Sequence, residues 1–366
     1  MPEVLSRRAL NRATLDRQLL LSRTELPALE AVRRLYGMQA QAPNPPYVGL
    51  WTRLAGFTHD ELTRLLTERS VVRLALMRST IHLVTAEDAL AVRPLLGPVL
   101  VRLLRSSRGK GLAGVDLGEL AEAGRALVEE RPLTFRELGG LLRERWPEHD
   151  AADLVAGVRN TLALVQVPPR GVWGVGGQPA HTTAEAWLGR PQDERSRAED
   201  MIRRYLAAYG PATVMDVQQW SGLTRLGEVV RGMDLRAFAT EDGAELFDLP
   251  EASRPDPATP APARYLSEYD NMLLSFAERT RTRVMADEHR SRVFTVNGII
   301  RATVLVDGFV RGVWKVTRKR GEAVLDVELF APVSAGERAE LEREGERTLD
   351  FVVPRAVDRD IRFHEA

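Results

Sequence analysis

The chain contains no cysteine. Disulfides, thiol nucleophiles and the usual cysteine-based structural zinc sites are therefore excluded, and the absence fits a cytosolic protein. Lysine is almost as scarce, occurring only at Lys110, Lys315 and Lys319, so few side chains are available for a Schiff base. No apolar run approaches the roughly 20 residues that a membrane helix needs. The opening stretch, MPEVLSRRALNRATL, lacks the apolar core of a secretion signal, so a cytoplasmic protein is expected. There is no excess of either charge: 51 basic residues face 51 acidic ones. A nucleic-acid partner would then require the two signs to be segregated over the surface.

What is present is the composition of a folded protein, 44% hydrophobic and 28% charged over 366 residues, long enough for more than one domain. The cations are nearly all arginine, as GC-rich coding produces, and that abundance by itself carries no argument for phosphate binding.

One order of elements recurs three times. Amphipathic stretches cover 9–22 and 26–36, the second with Leu29, Val32, Leu35 and Tyr36 on one face and Pro27 near its start. Helical patterns at 47–55 and 59–67 follow, and VVRLALMRSTIHLVT reads as two strands turning near Arg78 and Ser79. Three helices and a hairpin are the winged-helix order, the hairpin being the wing. After a connecting helix at 86–105, the second copy has helices at 117–130, 134–145 and 151–163, with wing pieces at 163–167 and 171–175. Thr134 and Glu137 stand at capping-box spacing. The third copy reads as helices at 193–208, 211–220 and 224–230, with Ser221-Gly222 as a turn, and strands at 235–240 and 244–249.

A proline-rich stretch, PEASRPDPATPAPA, closes the helical region near residue 263. Beyond it the period becomes strand-like at 293–296, 299–306, 309–316 and 323–329, with Asn297-Gly298, Asp307-Gly308 and Arg320-Gly321 between. A helix at 334–346 and a last strand at 348–353 would complete a small antiparallel β-barrel. The expected fold is α+β: three tandem winged-helix units at 1–106, 107–190 and 191–262, followed by the barrel at 263–366.

The least ordinary segment is Gly37-Met38-Gln39-Ala40-Gln41-Ala42-Pro43-Asn44-Pro45-Pro46-Tyr47. A helix ends naturally at Gly37, and the three prolines keep the chain extended. Alternate residues of extended chain face one way, so Gln39 and Gln41 project together. Two roles fit such a pair. The amides either tie a buried loop through backbone hydrogen bonds, or they fix one water. Glutamine is a poor base, so a water held this way suits only an electrophile that is already activated. A purine alkylated at N7 or N3 is one, because its positive charge removes the need for an acid and leaves positioning and dipoles to act.

GMQAQAPNPPYVGLWTRL, the wing LMRSTIHLV, SEYDNMLLSF followed by RTR, and VLVDGFVRGVW together resemble the winged-helix alkylpurine DNA glycosylases of bacteria, the AlkZ type. The similarity runs through nearly the whole chain in the same order. It implies three winged helices and a β-barrel around a DNA channel, and a catalytic pair of glutamines one residue apart, matching Gln39 and Gln41. A related branch carries Gln then Asp. The family removes N7-alkylpurines, and some members unhook interstrand cross-links made by nitrogen-mustard-like natural products. Ala40, where a bulkier apolar residue is also common, leaves the substrate range open.

On that resemblance, His82 and Arg78 on the first wing, with Asn44, become expected DNA contacts. So do Lys315, Arg318, Lys319 and Arg320 at a basic hairpin tip, and Arg279 and Arg281, which alternate with Arg283 as on a strand face. Tyr269-Asp270-Asn271 would shape the junction before the barrel. The expected activity is that of a monofunctional glycosylase acting on double-stranded DNA as a monomer, without metal or cofactor, and lying on the nucleoid when bound. The rival reading is a winged-helix transcription regulator, which has no use for paired glutamines beside prolines.

Overall fold

A computed structural model describes residues 2–319 and 321–365. The helices of the first unit stand where the periodicity put them. Ser6 accepts from Ala9 N–H to open helix Arg7–Arg17. Helices Ala28–Arg34, Pro45–Trp51 and His59–Thr67 follow, then strands Val71–Ala75 and Ile81–Thr85. Thr85 ends the second strand and caps the 23-residue helix Ala86–Arg108 through Asp88 N–H.

The helices expected of the second unit form at Leu117–Glu130, Phe135–Arg145 and Ala151–Thr161, and the Thr134–Glu137 capping box makes both of its bonds. The second piece of this unit's wing is displaced. The chain at 171–175 is a series of turns after Pro168 and Pro169, and the strand forms later, at Ala180–Thr183. Where a third unit is expected, helices Ala198–Tyr209, Val214–Ser221 and Leu226–Arg231 form. Gly222 closes the second of them in the left-handed region, and strands Arg236–Thr240 and Glu245–Asp248 follow.

The units are not beads on a string. The strands at the expected first and second wings lie in one six-stranded sheet, joined by the pairing of Leu74 with Val165. At the other end of the chain's path, strand Glu3–Leu5 pairs parallel with Arg236–Thr240, which ties the N-terminus to the third unit. Ion pairs, that of Arg17 fully buried, bolt helix Arg7–Arg17 down. Arg17 meets Asp248 in a bidentate bridge at 2.7 and 2.8 Å, and Arg12 and Arg8 both meet Asp307 in the C-terminal region.

Beyond residue 263 the expected barrel is instead an open five-stranded sheet. Strand Arg264–Leu266 lies at one edge and Asp358–Glu365 at the other. Two local readings fail with it. Residues 348–353 are not a strand: Leu341, Leu349 and Val352 keep helical spacing and are buried, so helix Ala335–Val352 runs through them. That helix is the crossover which lets strand Asp358–Glu365 return parallel to Glu322–Leu329, and an all-antiparallel barrel has no place for it. Residues 293–296 are not a strand either. Helix Arg290–Val293 precedes a turn closed by Thr295 N–H on Ile299 O at 2.9 Å.

Candidate active site

The glutamine segment is held from both sides before it reaches the glutamines. Helix Ala28–Arg34 ends through Tyr36 (φ 54°) and Gly37 (φ 86°), both left-handed. A Cβ on Gly37 would lie 2.5 Å from Val84 Cγ1 and 3.1 Å from Leu83 O, so only glycine fits there. Asn271 Nδ2 donates to Gly37 O at 2.8 Å, and Tyr209 donates its hydroxyl proton to Leu35 O at 2.8 Å. Next door, Asp270 forms a fully buried bidentate pair with Arg53 at 2.8 and 2.9 Å, and Arg53 also donates to Gly49 O and Gln18 O. Asn271 thus holds the entry to the loop that carries the glutamines, and Asp270 beside it anchors the helix that follows that loop.

Met38 and Gln39 then pair with the wing, Met38 opposite Leu83 and Gln39 opposite His82. Directly opposite residues share a sheet face, so Gln39 and His82 stand side by side. Ala40 N–H continues the pairing onto Ile81 O at 2.7 Å. From beneath, Arg73 donates to Ala40 O at 2.8 Å and to Gln166 Oε1 at 3.2 Å. Arg73 is buried and has no carboxylate partner among the described residues; burial pulls its pKa down to about 10.

Both glutamine carbonyls are occupied. Gln39 Oε1 accepts from Arg78 Nη2 at 2.9 Å, and Gln41 Oε1 accepts from Ile81 N–H at 3.1 Å. Each donor can only donate, so each amide is oriented with its oxygen inward. Neither amide nitrogen has a protein acceptor among the described residues. Gln39 is buried and Gln41 is exposed. Two fixed amides, one buried and one exposed, thus each keep an N–H₂ group without a protein acceptor among the described residues and a second carbonyl lone pair with which to order a water.

His82 is 3% exposed. Its Nδ1 donates to Thr80 O at 2.9 Å, since a carbonyl only accepts. Burial, reinforced by the Arg78 charge, pushes its pKa down to about 3, so it is neutral at physiological pH. A charged phosphate contact is therefore not what His82 supplies. Arg78 is engaged within the protein as well. Its guanidinium bridges Gln39 and Trp220 O (3.1 Å), and burial lowers its pKa to about 10. Trp220 in turn stacks on Tyr36, ring centroids 5.3 Å apart.

None of the other expected contacts bonds Gln39, Gln41, His82 or Arg78 among the described residues. Asn44 is exposed at the start of helix Pro45–Trp51, with no side-chain cap bond. Arg279 is exposed and paired with Asp242. Arg281 and Arg283 are buried, because residues Thr280–Arg283 form a 3₁₀ turn and not a strand, which corrects the reading of a basic strand face. Arg281 donates to Phe276 O at 2.9 Å. On strand Phe309–Lys319, Lys315 is exposed opposite Asp326, and Arg318, also exposed, donates to Val352 O at 2.8 Å. Lys319 pairs in register with Glu322; its side chain and Arg320 lie outside the described residues.

The sequence reading missed Arg73 and Asn271 as supports of the segment. An arginine inside the apolar run VVRLA was the available signal for the first. Among the described residues no group of three or more His, Asp or Glu side chains is placed to hold a metal ion, and no helix is long and apolar enough to cross a membrane.

The family model described as "DNA glycosylase AlkZ-like" matches residues 32–351. An interstrand DNA cross-link repair glycosylase of Streptomyces sahachiroi is 28% identical over 333 residues, covering 82% of this chain and 85% of that protein. The solved structure of the Streptomyces sahachiroi DNA glycosylase AlkZ superposes with a TM-score of 0.78 at 24% identity. It covers 99% of this chain and 100% of its own.

Proposed function

The chain belongs to the AlkZ-like DNA glycosylases, and from that premise we propose that it hydrolyses the N-glycosidic bond of cationic N7-alkylpurines in double-stranded DNA. The observation that carries this reading is the pair of amides at Gln39 and Gln41, each locked by a donor-only partner from the same wing. No strong base stands in the cluster: His82 is held neutral with a pKa near 3, and the other groups are amides and guanidiniums. Such a site serves a substrate whose leaving group is already positively charged. Water attacks C1′, the C–N bond breaks with its electron pair going to the purine, and the purine departs neutral. One proton of the water is released to solvent. Amide dipoles orient the water and face the oxocarbenium-like sugar, so the rate comes from positioning and fixed dipoles. The product is an abasic site, because among the described residues none of the groups bonded around the two glutamines is a lysine that could form a Schiff base.

The similarity to a protein described as a cross-link repair glycosylase extends the proposal to unhooking of interstrand cross-links, in repair or in self-resistance. Three winged-helix units, with Lys315, Arg318 and Asn44 as exposed DNA contacts, complete the reading. The test is single-turnover release of base from duplexes carrying N7-methylguanine or a mustard cross-link, the abasic product being scored by alkaline strand cleavage. Release from either supports the proposal. Intact DNA binding without release from both contradicts it.

A further inference from the structure

The turn between the two strands of the first wing holds consecutive left-handed residues, Arg78 (φ 57°) and Ser79 (φ 56°). Neither is glycine, asparagine or aspartate, the types that take this conformation readily, so neighbouring groups must hold it. Ser79 N–H bonds Leu76 O at 3.0 Å and Thr80 N–H bonds Met77 O at 3.1 Å. From the second unit, Arg159 Nη2 donates to Ser79 O at 2.7 Å. The result of this conformation is the placement of the Arg78 guanidinium between Gln39 Oε1 and Trp220 O. Its charge meets two neutral oxygens and no carboxylate among the described residues.

A glutamine amide has two nearly isosteric orientations, because its terminal torsion is broad and roughly two-fold. They differ in whether oxygen or nitrogen faces a given neighbour. Arginine has donors only, so its bond exists in one of the two orientations and not in the other. We propose that Arg78 is a positioning residue: it holds Gln39 in a single amide orientation and ties that orientation to the third unit. The tie closes a ring of contacts, since Trp220, whose carbonyl Arg78 also binds, stacks on Tyr36 at the entry to the glutamine segment. Gln41 gets the same service from a backbone donor, Ile81 N–H, which no substitution removes short of proline. Gln39 depends on a side chain. This inference rests on the glycosylase reading.

The experiment is a double-mutant cycle on single-turnover release of N7-methylguanine, using wild type, R78M, Q39A and the R78M/Q39A double variant. Dissociation constants for the same duplex are measured alongside. R78M is expected to slow release roughly 100-fold, the scale of a displaced catalytic group, with unchanged DNA affinity. In the Q39A background it is expected to cost nothing further, since it acts through Gln39. Equal slowing in both backgrounds, or affinity lost in step with rate, overturns the proposal. An active wild type with an equally fast R78M overturns this inference alone, whereas an inactive wild type overturns the functional reading and the inference with it. Should R78M fail to fold, the cycle is run with R78K, whose single ammonium cannot serve both carbonyls. Slowing confined to the Gln39 background supports the proposal, and equal slowing in both overturns it.

Discussion

Replacing His82 by glutamine should change how the protein's stability depends on pH, by an amount that follows from the burial of the ring. In the folded chain His82 is 3% exposed, and its pKa is pushed down to about 3. In the unfolded chain it returns to about 6.5. The folded value is the depressed one, so below pH 6.5 the unfolded state takes up a proton that the native state refuses. The stability that neutral His82 contributes is therefore complete above pH 6.5 and drains away as the pH falls toward 3. At pH 5 the loss amounts to 1.5 pH units at 1.36 kcal/mol each, or about 2 kcal/mol. Glutamine does not titrate, so the stability of wild type relative to H82Q should drop by about 2 kcal/mol between pH 7 and pH 5. Urea unfolding of both proteins at several pH values measures this directly. His181, also buried with a pKa lowered to about 4, titrates in both proteins and cancels in the difference. A wild-type-to-variant difference that is the same at pH 7 and pH 5 would refute the reasoning, because it would mean that His82 titrates normally in the native state.

Three further outcomes follow from the supports of the glutamine segment and from the exposed cations. Asp270→Ala strands the fully buried Arg53 guanidinium and should cost roughly 3–5 kcal/mol in urea unfolding, with part of the loss recovered by adding Arg53→Met. Gly37→Ala forces a side chain into the left-handed region and against Val84, and should cost about 2 kcal/mol. It should slow base release more than it weakens DNA binding, as parallel rate and affinity measurements will show. Lys315→Ala should lower the slope of log affinity against log salt by about 0.9, and an unchanged slope would remove Lys315 from the DNA contacts.

The helical units were legible because their signals are local. Amphipathic periodicity and the capping box at Thr134 and Glu137 act within one or two turns, and the helices formed within a few residues of the expected bounds. Closure of the C-terminal sheet was not legible, because it depends on which distant strand the last segment joins. Residues 348–353 read as strand from their apolar content, but burial of Leu349 and Val352 against the sheet keeps them helical. The glutamine pair stood out in the sequence through its prolines and its spacing. The role of Arg78 did not, since nothing in LMRSTIHLV reveals that the wing turn packs against Trp220 of another unit. For the same reason the alternation of Arg279, Arg281 and Arg283 suggested one exposed face. In the fold Thr280 bonds Asp216 and Ala277 O, the backbone turns into a 3₁₀ helix, and two of the three arginines are buried.

The central claim is that a water ordered by the amides of Gln39 and Gln41 performs the hydrolysis, and one measurement tests it most directly. Single-turnover release of N7-methylguanine from duplex DNA is compared between wild type and the Gln39→Ala, Gln41→Ala double variant, with DNA affinity measured in parallel. The account predicts release by the wild type, and in the double variant a rate at the spontaneous background with affinity preserved. Release by the double variant at the wild-type rate would contradict it, and would place the chemistry elsewhere in the chain.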